Sequence, residues 1–152
     1  MIAILPQILL LLITAYQDFK DRAISWFLIP LLAGLGLTKA YFDGLFLGFD
    51  YLASAVYLTL IIGLVYLYFA FKNKSFQIDF TNSLLGIGDI LFFIAMIPFF
   101  SFELYILLFI LGLIFSLIAH LIFNKMFPSP TIPLAGWLSL FYSGYFIINL
   151  FQ

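Results

Sequence analysis

Two acidic residues, Asp18 and Asp89, stand out because of the apolar sequence that surrounds them. Asp89 follows Gly86-Ile87-Gly88 and precedes Ile90, Leu91, Phe92 and Phe93, with no basic residue nearby in sequence. Asp18 opens a charged cluster, Asp18-Phe19-Lys20-Asp21-Arg22, at the end of an apolar run. An acid in an apolar segment costs roughly 2.5–3.5 kcal/mol on insertion scales, and such residues usually mark function or pairing. Two carboxylates held close together cannot both ionise, so one keeps a proton. The ionised member can then deprotonate a water while the protonated member donates to a carbonyl. That is hydrolysis of an amide without a metal, a serine or a cysteine. The two glycines before Asp89 allow close approach of another backbone and open conformations closed to other residues. The tetrapeptide is equally compatible with a simple turn in which Asp89 caps a helix.

The elements that would position these acids follow from composition. Of the 152 residues, 66% are hydrophobic, 9% are charged and 21 are Phe, which lies far outside the soluble range and points to lipid as the solvent. The chain has no Cys, which excludes disulfides, cysteine zinc sites and thiol nucleophiles. Its net charge of −1 gives no footing for nucleic acid. A bilayer-spanning helix needs about 20 mainly apolar residues. Charged clusters divide the chain into six apolar runs, at about Ile2–Tyr16, Ile24–Phe42, Tyr51–Phe71, Leu84–Phe100, Leu104–Phe123 and Ile132–Phe151. The expected fold is therefore all-α, a single domain over residues 1–152, with about six transmembrane helices in a bundle. The first run lacks a basic leader and a small-residue cleavage site, so it is expected to be a retained helix.

Basic residues set the expected orientation. Lys20, Arg22, Lys72, Lys74 and Lys125 fall on one side of an alternating six-helix topology, and only Lys39 falls on the other. The first side is expected to be cytoplasmic, with both termini outside. Trp26 and Trp137 then stand near cytoplasmic helix starts, as interfacial anchors would. Asp18 ends the first helix and Asp89 begins the fourth, so both acids reach the same membrane face.

Other polar residues read as less chemical. Asp21, between Lys20 and Arg22, is expected to be a solvated charge, and so is Asp79 in the longest loop. Asp43, Asp50 and Glu103 stop helices on the outer side. His120 is expected to be buried and bonded to Ser116 or a backbone carbonyl, and a single His makes zinc improbable. Gly34, Gly36, Gly63 and Gly112 are expected to permit close helix packing.

At the two acids the sequence resembles the type IV prepilin peptidase family, membrane-embedded aspartic peptidases that include the archaeal preflagellin peptidases. Asp18-Phe19-Lys20-Asp21-Arg22-Ala23-Ile24-Ser25 is similar to the family's first-aspartate motif, and Gly86-Ile87-Gly88-Asp89 to its Gly-x-Gly-Asp signature. Ile132-Pro133-Leu134-Ala135-Gly136 resembles the Ile-Pro opening of the family's last helix. Helix number, motif order and sidedness extend the resemblance over nearly the whole chain. It implies a catalytic pair of Asp18 and Asp89, with Lys20, Arg22, Gly86 and Gly88 as supporting motif residues and no cofactor or metal. It further implies a prepilin-like membrane protein as substrate, its basic leader cleaved at the cytoplasmic face of the inner membrane. Leu91 stands where the family commonly has Lys. The cytoplasmic insertion and paired Cys of the larger methylating enzymes are missing, so only the peptidase activity is implied. Two other readings stay open: an inactive relative that binds pilin-like helices, and a small transporter or channel component in which the acids bind a proton or cation.

Overall fold

The computed structural model describes residues 4–42, 44, 48–73, 86–123 and 132–151. Among these, the regular structure is entirely helical: α1 (Ile4–Asp21), α2 (Leu28–Phe42), α3 (Phe49–Asn73), α4 (Ile87–Met96) followed by a 3-10 turn (Ile97–Phe99), α5 (Phe102–Phe123) and α6 (Leu134–Leu150). The six helices correspond one-to-one to the six apolar runs. Two of them, over Phe49–Lys72 and Phe102–Phe123, are long and apolar enough to cross a membrane. α2, the segment Ile87–Phe99 and α6 are apolar but shorter. Lys74, Asp79 and Lys125 lie outside the described residues, as does Asp43.

Each element begins and ends for a local reason. α1 buries Gln7, Leu11, Thr14, Ala15 and Asp18, a stripe spaced by three and four residues that lies along one helix face. It runs past its apolar run as far as Asp21 and stops at Arg22, whose φ of 53° is left-handed and whose amide donates to the Asp18 carbonyl at 3.2 Å. This is the αL ending usually given to glycine. Residues 23–25 carry no regular structure, so α2 starts four residues later than the apolar pattern suggests. The Gln17 side chain pins this segment by accepting from the Ser25 amide at 3.0 Å. α4 is cut short by Pro98, which removes a helical donor and tightens the chain into the 3-10 turn.

α6 is the central element. It lies along α1 on one side and against α5 on another, while α2 packs on α4 and on the 3-10 turn, and α3 rests on α5. The core is aromatic. Phe100 stacks on Phe146 with ring centroids 5.8 Å apart and on Tyr142 at 5.7 Å. Phe93 meets Phe109 edge-on at 5.0 Å, and the Tyr105 hydroxyl donates to the Phe93 carbonyl at 3.2 Å. Gly36 and Gly112 serve as contact points: a Cβ at Gly36 would come within 2.8 Å of Pro98 and Phe99, and one at Gly112 within 2.6 Å of Leu138. Gly34 and Gly63 face open space, so the expected packing role holds for only two of the four. Small residues at such crossings let helices approach where lipid offers no hydrophobic drive between them.

Two aromatic and polar expectations change. Trp26 is 81% exposed, as an anchor would be, but Trp137 is only 6% exposed and packs against Phe19, Phe115 and Phe123. It is a packing residue, because the first turn of α6 is enclosed by α1 and α5. His120 is half-buried in the last turn of α5, and the buried Ser116 hydroxyl has no hydrogen-bond partner, so the two do not bond.

Candidate functional site

The last turn of α1, the first turn of α4 and the first turn of α6 converge at one end of the bundle. Asp18 and Asp21 separate there. Asp21 is exposed, whereas Asp18 sits on the buried stripe of α1 and is 7% exposed. Three residues on is nearly a full turn, so Asp21 keeps roughly the same side of α1 as Asp18. The difference is that Asp21 is the last residue of the helix, beside Arg22, whereas Asp18 is covered by Gly136 of α6.

Asp89 is the third residue of α4, not its cap. Gly86 occupies the cap position with extended backbone, and the Asp89 carboxylate reaches back to accept from the Gly86 amide. That contact is the returning half of a capping box. A Cβ at Gly86 would stand 3.2 Å from Asp89 Oδ2, so the glycine gives the carboxylate its room.

The two acids meet at α6. The amide of Gly136 donates to Asp18 Oδ2 at 2.6 Å, and the amide of the preceding Ala135 donates to Asp89 Oδ1 at 3.1 Å. Consecutive backbone donors in the first turn of one helix therefore hold one carboxylate each. These donors have no partner within the helix, and the helix dipole is positive at this end, so the site favours negative charge.

The electrostatics pull in both directions. Both carboxyls lie in the end turns of their helices, outside the two helices long enough to span. Burial raises Asp18 above the ordinary carboxylate range, opposed by the Gly136 amide and then by the Arg22 charge. Burial also pushes Asp89 up to about 6, with the charge of Asp18 as the next cause, opposed by the Ala135 and Gly86 amides. Asp18 thus has the shorter amide contact and the cation, and Asp89 is the member that keeps a proton. The arrangement can hold one proton between two carboxylates, one poised as base and the other as acid.

Beside the pair is a cavity of about 260 Å³, lined by Asp18, Arg22, Ala23, Ile24, Gly86, Ile87, Gly88 and Asp89. Of the supporting motif residues, Arg22, Gly86 and Gly88 line it. Lys20 does not; it is exposed, with its ammonium 5.7 Å from the Tyr16 ring centroid. Leu91 is also outside the lining and 40% exposed. Among the described residues no group of three or more His, Asp or Glu side chains could hold a metal.

Ala135 and Gly136 are the site residues that residue-type reasoning passed over. Their contribution is a backbone N–H, which leaves no side-chain signature. The available signal was Pro133 opening a helix with two small residues close behind it. No protein-family model, curated protein or solved structure matches the chain.

Proposed function

We propose that this chain is a membrane-embedded aspartic endopeptidase that cleaves the leader peptide of prepilin-like precursors at the cytoplasmic membrane face. The observation that carries the reading is the pairing of Asp18 and Asp89 on consecutive amides of α6. Ionised Asp18 takes a proton from water, the water oxygen attacks the scissile carbonyl, and Asp89 donates its proton to the carbonyl oxygen. Collapse of the tetrahedral intermediate returns a proton to the leaving amine. The cavity, bounded by Arg22, Ala23 and Ile24 after α1 and by Gly86, Ile87 and Gly88, suits an extended stretch of backbone rather than a helix.

The resemblance of the two aspartate motifs to prepilin peptidases supplies the substrate class. In this reading all six helices traverse the inner membrane, with the shorter ones tilted little and the cavity level with Lys20 and Arg22 on the cytoplasmic side. Leu91 is compatible with activity because its side chain is not part of the cavity wall. A midplane ion site, where transporter sites usually lie, is a poorer fit for two acids in terminal helix turns.

The test is co-expression with a candidate precursor. Wild type should shorten it, while Asp18→Ala and Asp89→Ala should each abolish shortening at unchanged membrane levels. Cleavage surviving in either single variant would overturn the dyad.

A further inference from the structure

The first turn of α6 contains a glycine at a position where helix propensity argues against one. Gly136 is the third residue of α6, and glycine in a helix is less favourable than alanine because it gives up more backbone freedom. An ordinary packing explanation would involve a neighbouring helix backbone or a bulky side chain. Here the nearest atom to a Cβ built at Gly136 is Asp18 Oδ2, at 3.0 Å, followed by Asp18 Cβ and Phe19 Cζ at 3.4 Å. The same residue supplies the 2.6 Å amide contact to that oxygen. The close approach of donor and acceptor and the lack of a side chain are therefore one feature. Elsewhere on the same helix, Gly144 has nothing within 4 Å of its would-be Cβ.

We propose that Gly136 is a positioning residue of the acid pair: its bare Cα lets Asp18 Oδ2 seat on the α6 amide, and this seating sets the orientation of Asp18 toward Asp89. The inference rests on the peptidase reading only for its kinetic consequence, since the orientation of the pair is a property of the resting protein. A methyl group at position 136 forces the carboxylate to rotate or retreat and weakens the contact that favours ionised Asp18. Asp18 then competes more strongly for the shared proton.

The experiment compares wild type, Gly136→Ala and Gly144→Ala, purified in detergent, in two assays. The first follows the protonated-carboxyl infrared band against pH, with Asp89→Asn used to assign it. The second measures kcat and KM on the precursor peptide. Gly136→Ala should move the infrared titration upward by on the order of one pH unit. It should also lower kcat on the order of 10²-fold with KM nearly constant, the effect of a misplaced group rather than of lost binding. Gly144→Ala should match wild type in both.

An unshifted infrared titration in Gly136→Ala overturns the inference, whatever the kinetics. A shifted titration in a protein whose wild type cleaves no precursor overturns the peptidase reading and leaves the positioning role standing. If Gly136→Ala does not accumulate, the same infrared measurement on Gly136→Ala with Phe19→Leu decides, because the shorter side chain relieves the contact at Phe19 Cζ and leaves the one at the carboxylate.

Discussion

At the scale of single residues, the acid pair governs pH behaviour. With Asp18 ionised and Asp89 protonated, activity should follow a bell whose alkaline limb falls as pH rises through about 6, where Asp89 loses its proton. The acid limb falls as Asp18 takes one up, and both limbs belong to the pair rather than to either residue alone. Stability has the opposite sign to that of a salt-bridged acid. Between the free value of 3.8 and about 6 the folded chain binds more protons at Asp89 than the unfolded chain does, so stability falls as pH rises across that window. Asp89→Asn keeps an acceptor for the Ala135 amide and removes the buried charge. It should be more stable than wild type at pH 8, by on the order of 1–3 kcal/mol, with the gain vanishing at pH 4. Thermal unfolding in detergent at the two pH values measures this. Arg22 is the other residue under tension, a non-glycine at φ 53° beside the site. Arg22→Gly should relieve about 1 kcal/mol of backbone strain. It should also move the acid limb of the activity bell to higher pH, because the charge that lowers Asp18 is gone.

At the scale of elements, the glycines separate crossings from open faces. Gly36 in α2 meets the Pro98 ring and Phe99 of the 3-10 turn, and neither can move without unsettling the aromatic core. Gly36→Ala is expected to destabilise by about 1–3 kcal/mol, the usual cost of overpacking. Gly63→Ala in α3, where nothing lies within 4 Å, should be neutral or gain about 0.5–1 kcal/mol from helix propensity. In detergent melting, Gly36→Ala should unfold at lower temperature than wild type and Gly63→Ala at the same temperature or higher. The aspartates follow the same logic of element ends. Asp18 is inward because it continues the stripe Gln7, Leu11 and Thr14, and Asp89 is placed by the cap at Gly86. Both features are local, and both can be traced in the sequence.

At the scale of the whole molecule, the two helices long and apolar enough to cross a membrane carry apolar side chains on their outer faces. Leu52, Val56, Leu60, Leu64 and Phe71 of α3 are all exposed, as are Leu107, Ile114, Leu117 and Ile118 of α5. Lys20 closes α1 and Lys72 closes α3, whereas Lys39 closes α2 at the other end, where its ammonium donates to the Phe99 carbonyl at 3.4 Å. The proposed six-span topology puts both termini outside. A reporter fused at Gln152 should therefore be active only outside the cytoplasm, and the fusion should stay with the membrane after alkaline extraction. A cytoplasmic signal would reverse the orientation and with it the face on which cleavage is sought.

The sequence by itself determined the all-helical class, the six elements and the two acids, because apolar run length, charge punctuation and an ionisable group out of place are written in residue types. It also marked Asp21, between Lys20 and Arg22, as the solvated acid of the cluster. The tertiary structure alone decided what holds the pair. The donors are the main-chain amides of Ala135 and Gly136, 46 and 118 residues away from the carboxylates they bind. Every non-proline residue carries such an N–H, so its role depends on which helix end arrives beside it. It was likewise the enclosure of α6 by α1 and α5 that turned Trp137 from an expected anchor into a packed core residue. Residue type cannot carry that information, because burial there is created by neighbours distant in the chain.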